Sequence, residues 1–249
     1  VGDSGAILKS SDDGVTWSVL NSGTTKNLNS IFFSSGSDIF VAGDSGTVLR
    51  STDLGTTWSH INSGTSFNLN CISQNDQDNF YNFFVFGDYG TIRQTTDAGN
   101  TWIVHNSGTT KNLNDYNNKV KYAVGDSGIV LRYNNGTWSA KPYVTNNNLN
   151  SIFYDSSTEP GLITGDKGTL IRLNANNEPV SLMNPIDTLI DFQYIYLEYS
   201  SDFDNGYACG YFRNTGIGAI ASTTNQGANW TTNSTGTTNK LNGGFKRNI

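Results

Sequence analysis

One phrase returns along this chain at a spacing that limits what the chain can build. It reads "GDSGAILKSSDDGVTW" from Gly2, "GDSGTVLRSTDLGTTW" from Gly43, "GDYGTIRQTTDAGNTW" from Gly87, "GDSGIVLRYNNGTW" from Gly125 and "GDKGTLIRLN" from Gly165. A worn copy, "GYFRNTGIGAIASTTNQGANW", starts at Gly210. Successive copies start 41, 44, 38, 40 and 45 residues apart. Between turn-forming Gly, Asn, Asp and Ser stand short apolar and aromatic runs, with no sustained helical period. A period near this length with strand content alone predicts β-propeller blades rather than a helical solenoid.

The second unit shows how each copy divides. "LNSIFF" from Leu28, "DIFVAG" from Asp38, "TVLRST" from Thr47 and "TTWSHI" from Thr56 read as strands A, B, C and D. "GDSG" turns B into C, "TDLG" turns C into D, and "NSGTSFNLN" links D to the next A. A strands start near Leu28, Leu69, Leu113, Leu149, Leu189 and Leu241, and the B–C–D sets also number six. The sequence opens inside a strand B at "VGDSG" and stops just after a strand A at "LNGGF". Joined, these ends complete one blade and remove a free sheet edge. The expectation is an all-β single domain over residues 1–249. It is a six-bladed β-propeller of four-stranded antiparallel blades, closed by pairing the N-terminal strands with the C-terminal strand. A truncated seven-bladed ring is the alternative.

Composition excludes several partners. The net charge is −6 and no basic stripe runs along the chain, so nucleic acid is not expected. No apolar run is long enough to span a bilayer, so neither is membrane insertion. Cys71 and Cys209 fall about three blades apart, too far for the short Cα separation a disulfide needs, and predict two free thiols.

The C–D turns carry a second motif. Asp12, Asp53 and Asp97 precede Gly14, Gly55 and Gly99 by two residues, and Trp17, Trp58 and Trp102 follow each Gly by three. The Asp accepts backbone N–H groups to close the turn, and the Gly supplies a positive φ. The Trp buries its ring between adjacent blades with its indole N–H in reach of a partner. The worn copy keeps Gly227 and Trp230, with Asn225 for Asp. Spread blade by blade, these turns cannot converge on one substrate.

"SSDDGVTW", "STDLGTTW" and "TTDAGNTW" resemble the Asp-box, or bacterial neuraminidase repeat. The wider unit is similar to the photosystem II stability/assembly-factor family of propellers. The resemblance covers nearly the whole chain except about residues 173 to 208. It implies a propeller outside the cytoplasm that contacts a client protein. That family is described as seven-bladed, so the count of six departs from it. It also implies an arginine-rich patch for the client, whose nearest match here is the repeat slot of Lys9, Arg50, Arg132 and Arg172; Gln94 fills it in the third copy.

A sialidase would need three convergent arginines, a Tyr nucleophile with a Glu, and an acid/base Asp. The glutamates here are Glu159, Glu178 and Glu198, and the slot arginines are copies of one position rather than a triad. No catalytic residue, metal site or cofactor is therefore expected. His60 and His105 read as strand histidines.

Two regions remain as candidate binding sites. The B–C turns and D–A links should share a face carrying Asp3, Asp44, Asp88, Asp126 and Asp166, with Lys26, Lys111 and Lys240. Carboxylates there either hold a cation or a basic partner, or only close their turns. The slot cations either bind an acidic peptide or lie over the sheet and pair with a neighbouring blade's Asp. Residues 173–208 replace the fifth Asp-box and enlarge a link. Phe192, Tyr194 and Tyr196 there should share one core face, and Tyr199 and Phe203 are candidates for partner capture. The functional expectation is an extracytoplasmic (secreted, cell-surface or periplasmic) protein-interaction or assembly module. A carbohydrate-binding propeller, with a glycan partner, is the alternative, and a sialidase-like glycosidase is the third reading.

Overall fold

A computed structural model describes residues 1–34, 36–75, 79–142, 144–154, 161–174, 176, 178–182, 188–200, 203–225 and 228–241, without the side chains of 180–182, 198–200, 203, 204 and 234. The described residues form antiparallel sheets and short turns. The first sheet pairs β1 (Ile7–Lys9) with β2 (Ser18–Leu20). The second runs β3 (Leu28–Phe33), β4 (Ile39–Gly43), β5 (Thr47–Ser51), β6 (Ser59–Asn62), and the third β7 (Leu69–Gln74), β8 (Phe83–Gly87), β9 (Ile92–Thr95), β10 (Ile103–Val104). The fourth runs β11 (Leu113–Asn117), β12 (Tyr122–Gly125), β13 (Val130–Asn134), β14 (Thr137–Ala140). The fifth runs β15 (Leu149–Phe153), β16 (Leu162–Gly165), β17 (Leu170–Leu173), β18 (Pro179–Leu182), and the sixth β19 (Ile190–Ser200), β20 (Phe203–Phe212), β21 (Gly218–Thr223), β22 (Thr231–Ser234). Each four-stranded sheet is a meander in chain order, as the repeat predicts.

The chain divides into two compact units, Val1–Asn118 with Tyr133–Ser139, and Lys119–Arg132 with Ala140–Ile249. In the first unit, strands β4 and β8 are buried along their whole length. Phe40 packs on Phe83 at 4.6 Å between centroids, and Trp102 meets Phe83 edge-on at 5.7 Å. Each fully buried Phe contributes about 1.5–3 kcal/mol. Phe84, Phe86, Tyr116, Tyr133 and Trp138 form a second aromatic cluster. In the second unit, Phe192, Ile195 and Leu197 of β19 pack with Leu162 and Leu170, and Trp230 lies against them.

Three expectations change here. First, strand A carries a bulge near its start: register shifts occur between Leu28 and Ser30, Leu69 and Cys71, Leu149 and Ser151, and Phe192 and Tyr194. A bulge inserts one residue and reverses the facing of those beyond it. Hence Phe192 is core, but Ile195 and Leu197 follow it inward, and half-buried Tyr194 and Tyr196 do not share its face. Second, residues 173–208 are more than an enlarged link. They supply β18, β19 and most of β20, a long hairpin that pairs as far as Ser200 and Phe203. Third, Trp17 is 60% exposed rather than buried between sheets. Gly227, the side chains of Tyr199 and Phe203, Glu159, and the strand after Leu241 lie outside the described residues.

Candidate functional site

The G-D-x-G turns and the D–A links lie against each other, and glycine sets the distance. In the second sheet, Ser45 (φ 55, ψ 35) and Gly46 (φ 72) are both left-handed, closed by Thr47 N–H donating to Asp44 O. This is the mirror-image turn that matches strand twist. A Cβ on Gly46 would stand 1.9 Å from the Thr65 carbonyl oxygen of the following link, so only glycine fits. Four other turns repeat the conformation at Ser4, Tyr89, Ser127 and Lys167.

Backbone carbonyls close these turns, and the carboxylates of Asp44, Asp88 and Asp166 are used elsewhere, which corrects the sequence reading for those three. Asp44 instead accepts from Asn27 Nδ2 and Asn29 Nδ2, both at 3.0 Å. Asn29 is the bulged residue of β3, and its Nδ2 also donates to Leu69 O on the next sheet at 3.0 Å. Asn68, Asp88 and Asn70 repeat the arrangement toward Leu113, and Asn148, Asp166 and Asn150 repeat it toward Phe192. The first Asn of each set also accepts a turn N–H from the preceding copy, as Ser45 N–H to Asn68 Oδ1 at 2.9 Å. In the sixth sheet Asp191 takes that place, accepting Lys167 N–H at 2.9 Å. Phe192 therefore stands where Leu28 and Leu149 stand, rather than Leu189. Burial pushes the Asp166 carboxyl up, against its two Asn donors. Asp44, Asp88 and Asp166 thus act as ties between turn, strand and neighbouring sheet. Among the described residues, no group of three His, Cys, Asp or Glu is placed to hold a metal ion.

The basic slot is one structural position, but its occupants part ways. Arg50 pairs across the strands with Phe40, as Gln94 does with Phe84, Arg132 with Tyr122 and Arg172 with Leu162. Arg50 Nη2 meets Asp38 Oδ2 at 2.6 Å and lies over the Phe40 and Tyr81 rings. Asp38 belongs to the same sheet, so the expected pairing with a neighbouring blade's Asp fails for Arg50. Gln94 Nε2 donates instead to Asn82 Oδ1 at 2.8 Å, and its Oε1 lies 2.9 Å from His105 Nε2. Arg132 meets Glu178 at 3.2 Å, which Lys141 also binds at 2.9 Å; this contact holds the Glu178 carboxyl below its usual range. Lys9 Nζ donates to Leu54 O at 2.8 Å. Arg50, Arg132 and Lys9 each have a partner.

The Asp-box turns are similarly self-contained. Asp53 accepts from Thr57 N–H at 2.8 Å, Thr57 Oγ1 at 2.6 Å and Ser51 Oγ at 2.8 Å. Asp12 and Asp97 repeat this with Thr16, Ser10, Thr101 and Thr95. Trp17 and Trp58 donate Nε1–H to Gly14 O and Gly55 O at 3.0 Å, while Trp102 Nε1 is buried without an acceptor among the described residues.

One pair escaped the sequence reading. Phe67 and Tyr89 stand together on the turn-and-link face, centroids 5.0 Å apart and planes tilted by 48°, yet they are 45% and 66% exposed. Aligning the copies position by position would have found them. Phe67 replaces the Lys of "TTKNLN", and Tyr89 the Ser of "GDSG".

A family model described as "Photosynthesis system II assembly factor YCF48" matches residues 1–247. Among solved structures, "YCF48 bound to D1 peptide" superposes with a TM-score of 0.69 at 18% identity, covering 93% of this chain and 75% of that one. YCF48 from Cyanidioschyzon merolae superposes with a TM-score of 0.68 at 18% identity, covering 94% and 80%. An ancestral GH74 enzyme gives 0.65 at 16%, covering 86% of this chain and 32% of that one. No curated protein sequence matches the chain. The family match spans nearly every residue, and the chain belongs to the photosynthesis system II assembly factor YCF48 family.

Proposed function

We propose that this chain is a non-catalytic, protein-binding assembly factor that works outside the cytoplasm. The observation that carries the reading is the family match over residues 1–247, joined to a relative of the same fold that holds a peptide. The carboxylates support it, since Asp12, Asp44, Asp53, Asp88, Asp97 and Asp166 spend their oxygens on the chain's own donors. A glycoside hydrolase of the common two-carboxylate kind needs such groups facing a substrate from both sides.

We also propose that residues 1–249 form one six-bladed ring. Leu241 N–H donates to Gly210 O as Leu28 N–H donates to Gly2 O, which supports a further strand A beginning at Leu241. The direct test of function is an anisotropy titration with a labelled D1 peptide. Saturable binding without hydrolysis of glycoside substrates supports the reading. Glycoside turnover, or an absence of binding to any client peptide, contradicts it. Antibody detection in fractionated source cells tests the location, and a cytoplasmic signal contradicts it.

A further inference from the structure

The repeat provides an internal reference for what the turn-and-link face needs in order to fold. The link residue before the first tying Asn is Lys26, Phe67, Lys111 or Asn147, and the left-handed turn residue is Ser4, Ser45, Tyr89, Ser127 or Lys167. The Asn–Asp tie brings the two positions together: Asn27 with Asp44 places Lys26 beside the turn of Ser45, and Asn148 with Asp166 places Asn147 beside that of Lys167. Only Asn68 with Asp88 joins two aromatic residues, Phe67 and Tyr89.

Folding does not explain this choice. Tyr89 sits at φ 54, ψ 34, a conformation unfavourable for a bulky side chain, and the same turn is made with Ser in three other copies. The ring gains little burial in return, being 66% exposed. An outlier retained without a folding gain points to function. The pair is also held rigidly. Tyr89 N–H donates to Asn112 Oδ1 at 3.1 Å, Asp88 N–H to Asn68 O at 2.9 Å, and Phe67 N–H to Thr65 Oγ1 at 3.2 Å. Rigid, exposed aromatic residues make binding anchors at low entropic cost.

The tilt of the rings sets the shape of what they hold. Planes 48° apart make a notch for a side chain rather than a flat platform for a sugar face. The charges beside it come from the flanking links. Lys111 precedes Asn112, the acceptor of Tyr89 N–H, and Lys26 lies one link earlier, beside the turn whose Ser45 N–H reaches Asn68. Both lysines are exposed and, among the described residues, neither is in an ion pair.

We infer that the Phe67–Tyr89 notch seats one aliphatic or proline side chain of an extended client peptide, with Lys26 and Lys111 engaging acidic residues on either side. This rests on the protein-binding reading above. Selection of a displayed decapeptide library on the wild-type chain should enrich an apolar residue flanked by Asp or Glu. The variant Phe67→Lys with Tyr89→Ser uses residues the scaffold itself employs at these positions, so its melting temperature should hold or rise. It should weaken the best selected peptide by about tenfold or more. Lys26→Ser with Lys111→Ser should flatten the salt dependence of binding. Enriched peptides that bind the aromatic variant unchanged would overturn the notch while leaving protein binding intact. No enriched peptide at all would overturn the protein-binding reading and the notch with it. Loss of glycan rather than peptide binding in the aromatic variant would also overturn the notch as a peptide site.

Discussion

Arg50 and Asp38 form an ion pair at 2.6 Å within one sheet, and one sheet later the same two places hold Gln94 and Asn82 at 2.8 Å. The scaffold thus accepts a charged pair or an amide pair at one position. Removing one partner leaves the other half-buried and unpaired. Asp38→Asn alone should cost about 1–3 kcal/mol. The double variant Asp38→Asn with Arg50→Gln should recover much of that. Urea unfolding of the four chains of this cycle measures the coupling, and additive losses would contradict it.

Acid should loosen the Asp-box turns. Hydrogen bonds from Thr57 and Ser51 hold the Asp53 carboxyl at about 2, and those from Thr16 and Ser10 hold Asp12 at about 2, both below the usual 3.8. Thr101 and its neighbours lower Asp97 as well. A depressed folded-state pKa stabilises fully above the unfolded value and is lost as pH falls through the folded one. The melting temperature should therefore be flat above about pH 4 in this respect and fall between about pH 4 and 2. Asp53→Asn, which copies Asn225, should shrink that fall. A slope unchanged by the substitution would show that these carboxylates do not set it.

Glycine should be needed at some turns and merely preferred at others. Gly108 has φ 69 with nothing within 4 Å of a would-be Cβ, so Gly108→Ala should cost about 1 kcal/mol. Gly46→Ala would also drive a methyl into the Thr65 carbonyl, and should cost more than about 3 kcal/mol or prevent folding. Equal losses measured by denaturant unfolding would refute the close approach.

The two thiols should be poor nucleophiles. Burial, with Asp115 beside it, pushes the Cys71 thiol well up, and burial pushes Cys209 up to about 11. Since the thiolate is the reactive form, Ellman's reagent at pH 7.5 should modify neither quickly and both in denaturant. Rapid reaction of Cys71 in the native chain would contradict its placement.

Much of this was legible in the sequence because the repeat rests on local chemistry. Asp53, Gly55 and Thr57 close a turn within a few residues, so spacing alone exposed strands, turns and order. The bulge after Leu28 was not legible, since one inserted residue reverses the facing of the rest, and alternation misassigned Tyr194 and Tyr196. Nor was the role of Asp44, whose partners Asn27 and Asn29 come from the preceding link and from β3. The partner of Arg50 was within reach: Asp38 with Arg50 and Asn82 with Gln94 change together between copies. Phe67 and Tyr89 were visible as departures from the repeat, but only the structure sets one beside the other.

Hydrogen–deuterium exchange of the chain, alone and with a saturating bound peptide, tests the central claim most directly. Binding at the turn-and-link face predicts slower exchange across residues 62–69 and 87–91, with the Asp-box turns at 51–57 unchanged. Protection confined to the Asp-box turns, or no protection at either link or turn, would contradict it.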